Sequence, residues 1–333
     1  MDANKGVLIC GELADGKLAP VTIELLGAGR KLANELGEEL AVLLLGSNTG
    51  AMGKEAIAYG ANKVYVAEDS LFDNYNSDAY TQAAANLCRK IMPAVMLLGH
   101  TDIGMDLAPR LNGRLGGGLA MDCLALAIDP ATKCLVTTRP VYGGNAHATA
   151  VSKSVRPQMA TIRPKTVPAA ERNDSRQGQV IVIEEKVDPA ALKIKVVERI
   201  KEQVEGVKLE DAEVVVSGGR GIGSKQNFEM IKELAHVLGG AVGATRPVCD
   251  EGWTPASLQV GQSGKVVSPK LYIAVAISGA MAHITGCLSS KYIIAINKDK
   301  DANIFNVARY GIVGDYKEIL PALTAKLKEL KSA

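Results

Sequence analysis

The sequence predicts an α/β protein of two domains, each a mostly parallel sheet flanked by helices, and three observations carry that prediction. Short apolar runs alternate with helix-period stripes, the runs empty into polar or glycine-rich loops, and the alternation pauses once, in a charged stretch around residue 200. Successive parallel strands need crossover connections, and the crossing helices bury both sheet faces. A chain of 333 residues, 47% of them hydrophobic, is long and apolar enough to fill two such cores.

Residues 7–13 (VLICGEL) read as the first strand. Pro20 sits where a first helical turn tolerates it, and Val21, Leu25, Ala28, Leu32 and Leu36 form an apolar stripe stopped by Gly37. A strand over 41–45, a short helix over 53–59, a strand over 64–67, a helix over 79–90 and a strand over 94–98 continue the pattern. Asp106, Leu107, Pro109, Arg110 and Leu111 predict a helix that ends in the glycine loop 116–118. From 135 to 163 the chain is β-rich and broken by prolines, which predicts antiparallel or edge strands closing the domain. Residues 165–190 are polar, with one more strand at 181–183, and the charged segment 193–210 suits a junction. The domains are therefore expected at 1–200 and 201–333.

The second half restarts the alternation. Residues 214–216 read as a strand, and Phe228, Ile231, Leu234 and Leu238 as the buried face of a helix ending at Gly239-Gly240. Strands follow at 271–277 and 293–296, then a final helix over 316–331 with Pro321 marking a turn or kink near its start. No internal repeat or low-complexity segment is apparent.

Composition narrows the function. The net charge is only +2, basic residues are dispersed and 4% of residues are aromatic, which argues against nucleic acid as a partner. Cys10, Cys88, Cys123, Cys134, Cys249 and Cys287 show no CxxC spacing, so reduced thiols and no zinc site are expected. The amino terminus lacks a basic n-region and no apolar run is long enough to span a bilayer, so a soluble, cytoplasmic protein is expected, with no membrane-embedded part.

Function is expected within 213–315, above all in 259–286 (QVGQSGKVVSPKLYIAVAISGAMAHITG), because three apolar strands there each end in a polar or glycine-rich loop. Ligands of open α/β sheets bind at the carboxyl ends of strands, and small residues let backbone N–H groups approach anionic groups. The loop SGGRGIGS (217–224) has the strand-to-helix placement of a phosphate loop, yet matches neither GxGxxG at the correct offset nor GxxxxGK[ST]; an ordinary tight turn is an equal reading. Arg220 either pairs with a pyrophosphate or is a solvated loop arginine. Thr245-Arg246, before Pro247, either sets a cation at a cleft mouth or forms a surface ion pair. His283 is a ligand contact or, as a lone histidine more often is, a structural hydrogen-bonder. His100 and His147 take the structural reading and His236 a helix surface; Trp253 and Tyr272 read as packing residues, and Asp299/Asp301 as a polar turn. The residues by themselves support a nucleotide or dinucleotide ligand and name no reaction.

The segments SGGRG, GATRPVCDEGW, QVGQSGK, PKLYIAVAISGA and SKYIIAINKD…IFNVARYGIVGD, with LLGHTDIGMDLAPRL, RPVYGGNAHAT and RPQMATIRP in the first half, together resemble the alpha subunit of electron transfer flavoprotein over nearly the whole chain. The resemblance implies a heterodimer with a beta subunit docked on the first domain and extended FAD bound by the second. By motif, Arg220 and Thr245 would contact the dinucleotide and Arg246 would lie by the isoalloxazine. Val260, Gly261, Gln262 and Ser263 would line the flavin's N5/O4 edge. Ser278, Gly279, Ala280, Met281, Ala282 and His283 would wrap the pyrimidine side and pyrophosphate, with His283 near O2. Asn297, Asp315 and Tyr316 would hold the adenosine end. Arg246 and His283 would then stabilise the negative charge of a reduced ring, the cofactor carrying the chemistry and the protein biasing it. The chain departs from the family at Ala282, where Gln is frequent, at Arg309, where Asp is usual, and at Ser263, where Thr is common.

The implied activity is electron carriage from flavin dehydrogenases, such as acyl-CoA dehydrogenases, to an acceptor such as a quinone reductase. A variant is NADH-dependent electron bifurcation coupling enoyl-CoA and ferredoxin reduction, toward which TRPVCDEGW and QVGQSGK lean. A nucleotide-binding regulatory protein without redox chemistry is a reading of another class. An NAD-dependent dehydrogenase acting alone is disfavoured by the missing amino-terminal fingerprint.

Overall fold

Apolar runs of four to seven residues with no polar alternation demand burial on both faces, and a parallel sheet sandwiched by helices supplies it. The computed structural model describes residues 4–47, 49–144, 146–185, 187, 192–198 and 207–332. The chain divides into two compact units, residues 1–141 with 145–200, and 201–333 with 142–144. The expected junction at residue 200 itself lies outside the described residues.

Unit 1 runs β1 (Val7–Cys10), a small hairpin of β2 (Leu13–Ala14) and β3 (Lys17–Leu18), α1 (Pro20–Leu36), β4 (Leu40–Gly46), α2 (Gly50–Ala58), β5 (Lys63–Glu68), α3 (Ser77–Ile91), β6 (Val95–Gly99) and α4 (Asp102–Leu115). It continues through β7 (Gly118–Cys123), β8 (Ala125–Ile128), β9 (Leu135–Val141), β10 (Ala146–Val151), β11 (Gln158–Ile162) and β12 (Gln179–Val182). Seven strands form an all-parallel sheet in the order β12-β5-β4-β1-β6-β11-β7. α1 and α2 pack on one face with Leu25, Leu26 and Leu32; α3 and α4 pack on the other with Leu87, Leu107 and Leu111. Pro20 opens α1 and Gly37 closes it at φ 71, a left-handed C-cap that glycine adopts without strain.

Two expectations need correction. The first strand stops at Cys10 rather than residue 13: the Gly11 amide makes a last bond to the Leu43 carbonyl at 2.9 Å, and the Glu12 backbone then pairs with the Thr22 hydroxyl of α1 instead. The stretch 135–163 is only partly antiparallel: β8, β9 and β10 form an antiparallel sheet, but β11 is a fully buried interior strand, parallel to β6 and β7. Its prolines, Pro157 and Pro164, flank the strand and remove no ladder donor from it, so the edge inference fails there.

Unit 2 runs β13 (Val214–Gly218), α5 (Glu229–Leu238), β14 (Ala241–Ala244), α6 (Arg246–Asp250), β15 (Leu271–Val275), α7 (Met281–Cys287), β16 (Tyr292–Asn297), β17 (Tyr310–Val313) and α8 (Tyr316–Ser332). The sheet is all parallel in the order β14-β13-β15-β16-β17. Counted within the unit this is the 2-1-3-4-5 doubly wound order, whose switch point falls between β13 and β15. α5 and α8 pack on one side of the sheet through Phe228, Ile231, Leu234 and Leu320, with Val216, Ile273 and Ile296 beneath them. Tyr272, Ala274, Ile284 and Cys287 fill the other side. Among the described residues no helix is long and apolar enough to cross a membrane, and no group of three or more His, Cys, Asp or Glu could hold a metal. All six cysteines are free.

Candidate functional site

The loops at the carboxyl end of the unit 2 sheet close around a cleft of about 480 Å³. Its first wall is the turn after β13, where Gly219, Arg220 and Gly221 lead into a single 3-10 turn. A Cβ on Gly219 would stand 2.3 Å from the Ala276 carbonyl oxygen, so glycine alone lets this turn lie against the strand next to it. Tyr316 reaches in from α8, and its hydroxyl donates to the Ile222 carbonyl at 2.7 Å, fixing the turn from behind.

The second wall follows β14. The Thr245 amide donates to the Gly218 carbonyl at 3.1 Å, and Arg246 and Pro247 begin α6, with proline in the first turn where no donor is lost. Arg246 Nε lies 3.5 Å from Asp250 Oδ2, and the two side chains are 68% and 62% exposed, so solvent screens the pair and it restrains the guanidinium only weakly.

The third wall is the loop 259–265. Val260 donates to the Ala244 carbonyl at 2.9 Å, Gln262 to the Ala282 carbonyl at 2.7 Å, and Gln259 Nε2 to the Ser263 hydroxyl at 3.0 Å. Gly261 sits at φ 148, and a Cβ there would meet Ala282 O at 2.8 Å; a Cβ on Gly286 would meet Gly261 N at 2.4 Å. Two glycines thus seat this loop on α7.

The fourth wall comes from β15 and β16. Ala276 takes a left-handed φ of 52 and turns the chain through Ile277 and Ser278 into α7. Asn297, at the end of β16, donates from Nδ2 to the Ile277 carbonyl at 2.8 Å and accepts the Asp299 amide at 3.0 Å.

His283 lies on α7 and is 6% exposed as a residue. Nδ1 is 3.0 Å from the Val260 carbonyl oxygen and Nε2 is 3.0 Å from the Tyr272 hydroxyl. A carbonyl only accepts, so Nδ1 carries the proton, and Nε2 accepts from Tyr272. Burial lowers the imidazole to about 4, outweighing the opposing pull of the Val260 carbonyl, and the ring is neutral at pH 7. A neutral His283 offers a flavin no net charge, so any stabilisation of a reduced ring by this residue would have to come from a hydrogen bond. Its nitrogens strap α7 and the 259–265 loop onto Tyr272, which is fully buried.

Of the residues predicted from sequence, the cleft is lined by Arg220, Thr245 and Arg246, by Val260, Gly261 and Ser263, and by Ser278, Ala280, Ala282, His283 and Asn297. Gln262, Gly279, Met281, Asp315 and Tyr316 are not among its lining residues. Gly279, at φ 85, instead allows the 278–280 turn to touch Ile304, where a Cβ would lie 2.2 Å from the Ile304 nitrogen. Asp315 accepts the Lys317 amide at 2.9 Å and starts α8. The cleft is also lined by Gly219, Gly221 and Gln259, which the sequence reading places in the functional loops without giving them a contact, and by Pro247, Ala276, Ile277, Asp299 and Ala302, to which it gives no site role. Asp299 has no signal beyond its place after β16.

A doubly wound parallel sheet with a cation-bearing, glycine-walled cleft at its switch point defines a nucleotide-binding class of α/β protein. Comparison with known proteins carries this further. Residues 7–188 match the family described as electron transfer flavoprotein domain, and residues 208–288 match the electron transfer flavoprotein FAD-binding domain. The electron transfer flavoprotein subunit alpha of Thermoanaerobacterium thermosaccharolyticum is 45% identical over 331 residues, covering 99% of this chain and 100% of that protein. The Megasphaera elsdenii protein of the same name is 46% identical (98% and 97% covered), and that of Bacillus subtilis 42% (98% of each). The chain belongs to the electron transfer flavoprotein alpha-subunit family. A solved thiamin diphosphate-dependent enzyme from Mycobacterium smegmatis, at 12% identity and a TM-score of 0.22, carries no argument.

Proposed function

We propose that this chain is the FAD-bearing subunit of a soluble, cytoplasmic heterodimer that carries electrons from flavin dehydrogenases, such as acyl-CoA dehydrogenases, to an acceptor such as a quinone reductase. The observation that supports this best is the cleft itself, which gathers Arg220, Arg246, a serine hydroxyl pair (Ser263, Ser278) and glycine-thinned backbone at one switch point. That donor set suits a dinucleotide, since guanidinium groups and close backbone meet pyrophosphate and small residues admit a flat ring.

When bound, FAD supplies the electron transfer. Arg220 and Thr245, which line the cleft, would contact its diphosphate. Arg246, exposed and held only by a screened pair with Asp250, is free to turn onto a ring that gains negative charge. Val260, Gly261 and Ser263 offer backbone and one hydroxyl to a ring edge, with Gln262 anchoring that loop to α7 through Ala282. Ala280 and Ala282 leave room that longer side chains would fill. Asn297 lines the cleft and would hold the adenosine end, while Asp315 and Tyr316 act from outside it by setting α8 and the Arg220 turn. The partner is an electron transfer flavoprotein beta subunit.

The test is the flavin and nucleotide count of the chain co-purified with its beta subunit. One FAD and one AMP per heterodimer support a simple carrier. Two FADs assign it to NADH-dependent bifurcation with ferredoxin as one acceptor. No flavin after attempted reconstitution overturns the reading.

A further inference from the structure

Unit 1 has a cleft of its own at the matching place in its sheet. β4 and β6 flank β1, with α1 and α2 on one face and α3 and α4 on the other, so the winding reverses between β1 and β6. Open α/β sheets bind ligands beside such a reversal, at the carboxyl ends of the strands. A cavity of about 320 Å³ lies there, within the size range of small-molecule sites. Leu43, Leu45, Phe72 and Leu98, all buried, give it an apolar floor. Glu12, Asp15 and Asp73 line it as well, and among its described lining residues there is no Lys, Arg or His.

Glu12 is built into this cleft. Its backbone amide donates to the Thr22 hydroxyl at 2.8 Å, that hydroxyl donates back to the Glu12 carbonyl at 2.8 Å, and its carboxylate accepts from Thr101 Oγ1 at 2.7 Å. α1 and the start of α4 thus hold it in place from two sides. Burial raises its carboxyl to about 7, against the lowering pull of Thr101, so near neutral pH it serves as donor as well as acceptor.

The contrast with unit 2 decides the ligand class. The unit 2 cleft presents Arg220 and Arg246, whereas the charged side chains that line the unit 1 cleft, among the described residues, are the carboxylates of Glu12, Asp15 and Asp73, with no cation to receive a phosphate. An apolar floor suits a flat heterocycle, and carboxylates at strand ends are the groups that hold ribose hydroxyls in dinucleotide sites. We propose that the unit 1 cleft binds an uncharged nucleoside, its base on the Leu43–Leu45–Phe72–Leu98 floor and its ribose hydroxyls on Glu12 and the neighbouring carboxylates, and that it rejects the 5′-phosphorylated form.

The experiment is equilibrium dialysis of the full chain, co-purified with its partner subunit and saturated with FAD, against adenosine, guanosine, cytidine and uridine and their 5′-monophosphates. At least one nucleoside binds below about 1 mM, and its monophosphate binds at least about tenfold more weakly, the cost of one like-charge contact at the cleft. Glu12→Gln, which cannot become an anion, weakens the nucleoside by about tenfold. Ser47→Lys, which places a cation at an exposed position lining the cleft, removes most of the discrimination against phosphate and keeps the test open if Glu12→Gln does not fold. The proposal is overturned if no nucleoside binds at that concentration, if a monophosphate binds as well as its nucleoside, or if binding ignores substitution at Glu12 or Ser47. FAD content is read in parallel, so a loss of flavin binding in unit 2 is told apart from a loss in unit 1.

Discussion

Lowering the pH from 7 to 5 tests the neutral histidine strap in unit 2. The imidazole of His283 is held at about 4 in the fold against 6.5 for a free ring. Between those values the unfolded chain binds a proton that the native chain refuses. The stability tied to this residue is therefore complete above 6.5 and is lost as pH falls toward 4. At pH 5 the unfolded chain is protonated there while the native ring is mostly neutral, which removes about 2 kcal/mol relative to pH 7. Among the described residues, the group bonded to the ring apart from the Val260 backbone is Tyr272, whose own ionisation is pushed far up by burial, so it adds nothing in this window. His283→Gln keeps an amide donor and acceptor in the same place and cannot titrate. The assay is urea unfolding at pH 7 and pH 5, followed through Trp253, the sole tryptophan, which packs against the α5–α8 core of unit 2. Native protein loses about 2 kcal/mol more than the Gln variant between the two pH values. Equal losses in the two proteins would mean that the ring is not held neutral, and the tautomer argument would fall with it.

Further outcomes follow from single contacts. Gly219→Ala drives a Cβ to within 2.3 Å of a backbone oxygen, which costs unit 2 about 2–3 kcal/mol in the same unfolding assay and reduces bound flavin. Arg246→Ala leaves flavin bound but lowers its one-electron potential by about 40 mV, the equivalent of about 1 kcal/mol for a solvent-screened cation, read by potentiometric titration. Arg163→Ala breaks the two-pronged pairing of a buried guanidinium with Asp122, at 2.8 and 2.6 Å, and costs unit 1 about 3 kcal/mol in urea unfolding followed by far-ultraviolet circular dichroism.

Where the sequence was legible, it was legible for a mechanical reason. A strand buried on both faces must be apolar throughout, so VLIC, LAVLLLG, VMLLG and LYIAV announce themselves without alternation. Glycines that must pass close to a neighbouring backbone, such as Gly219 and Gly261, mark the same loops. Elements lacking such pressure were hidden. β14, AVGA, is short and carries a glycine, and β17, YGIV, is exposed at every residue on the sheet edge, so neither shows the burial signal of a strand. β11 was misassigned because proline tells of a strand's limits as readily as of an edge, and only the pairing with β6 and β7 separates the two.

The charge state of the site was the part no pattern could carry. His283 and Glu12 each follow a recognisable strand, yet their protonation is set by neighbours distant in sequence: Val260 and Tyr272 for the histidine, Thr22 and Thr101 for the position of the carboxylate, and burial for both. Burial acts on the two in opposite directions on the pKa scale and in the same direction on charge, since it penalises whichever form is ionised. The histidine is left without its cation and the glutamic acid is left half without its anion at pH 7. Among the described residues that line the unit 2 cleft, the cationic side chains are consequently Arg220 and Arg246. On the proposed reading, tuning of a bound flavin would fall to these two arginines, and the exposed Asp250, 3.5 Å from Arg246, is the carboxylate that competes for one of them.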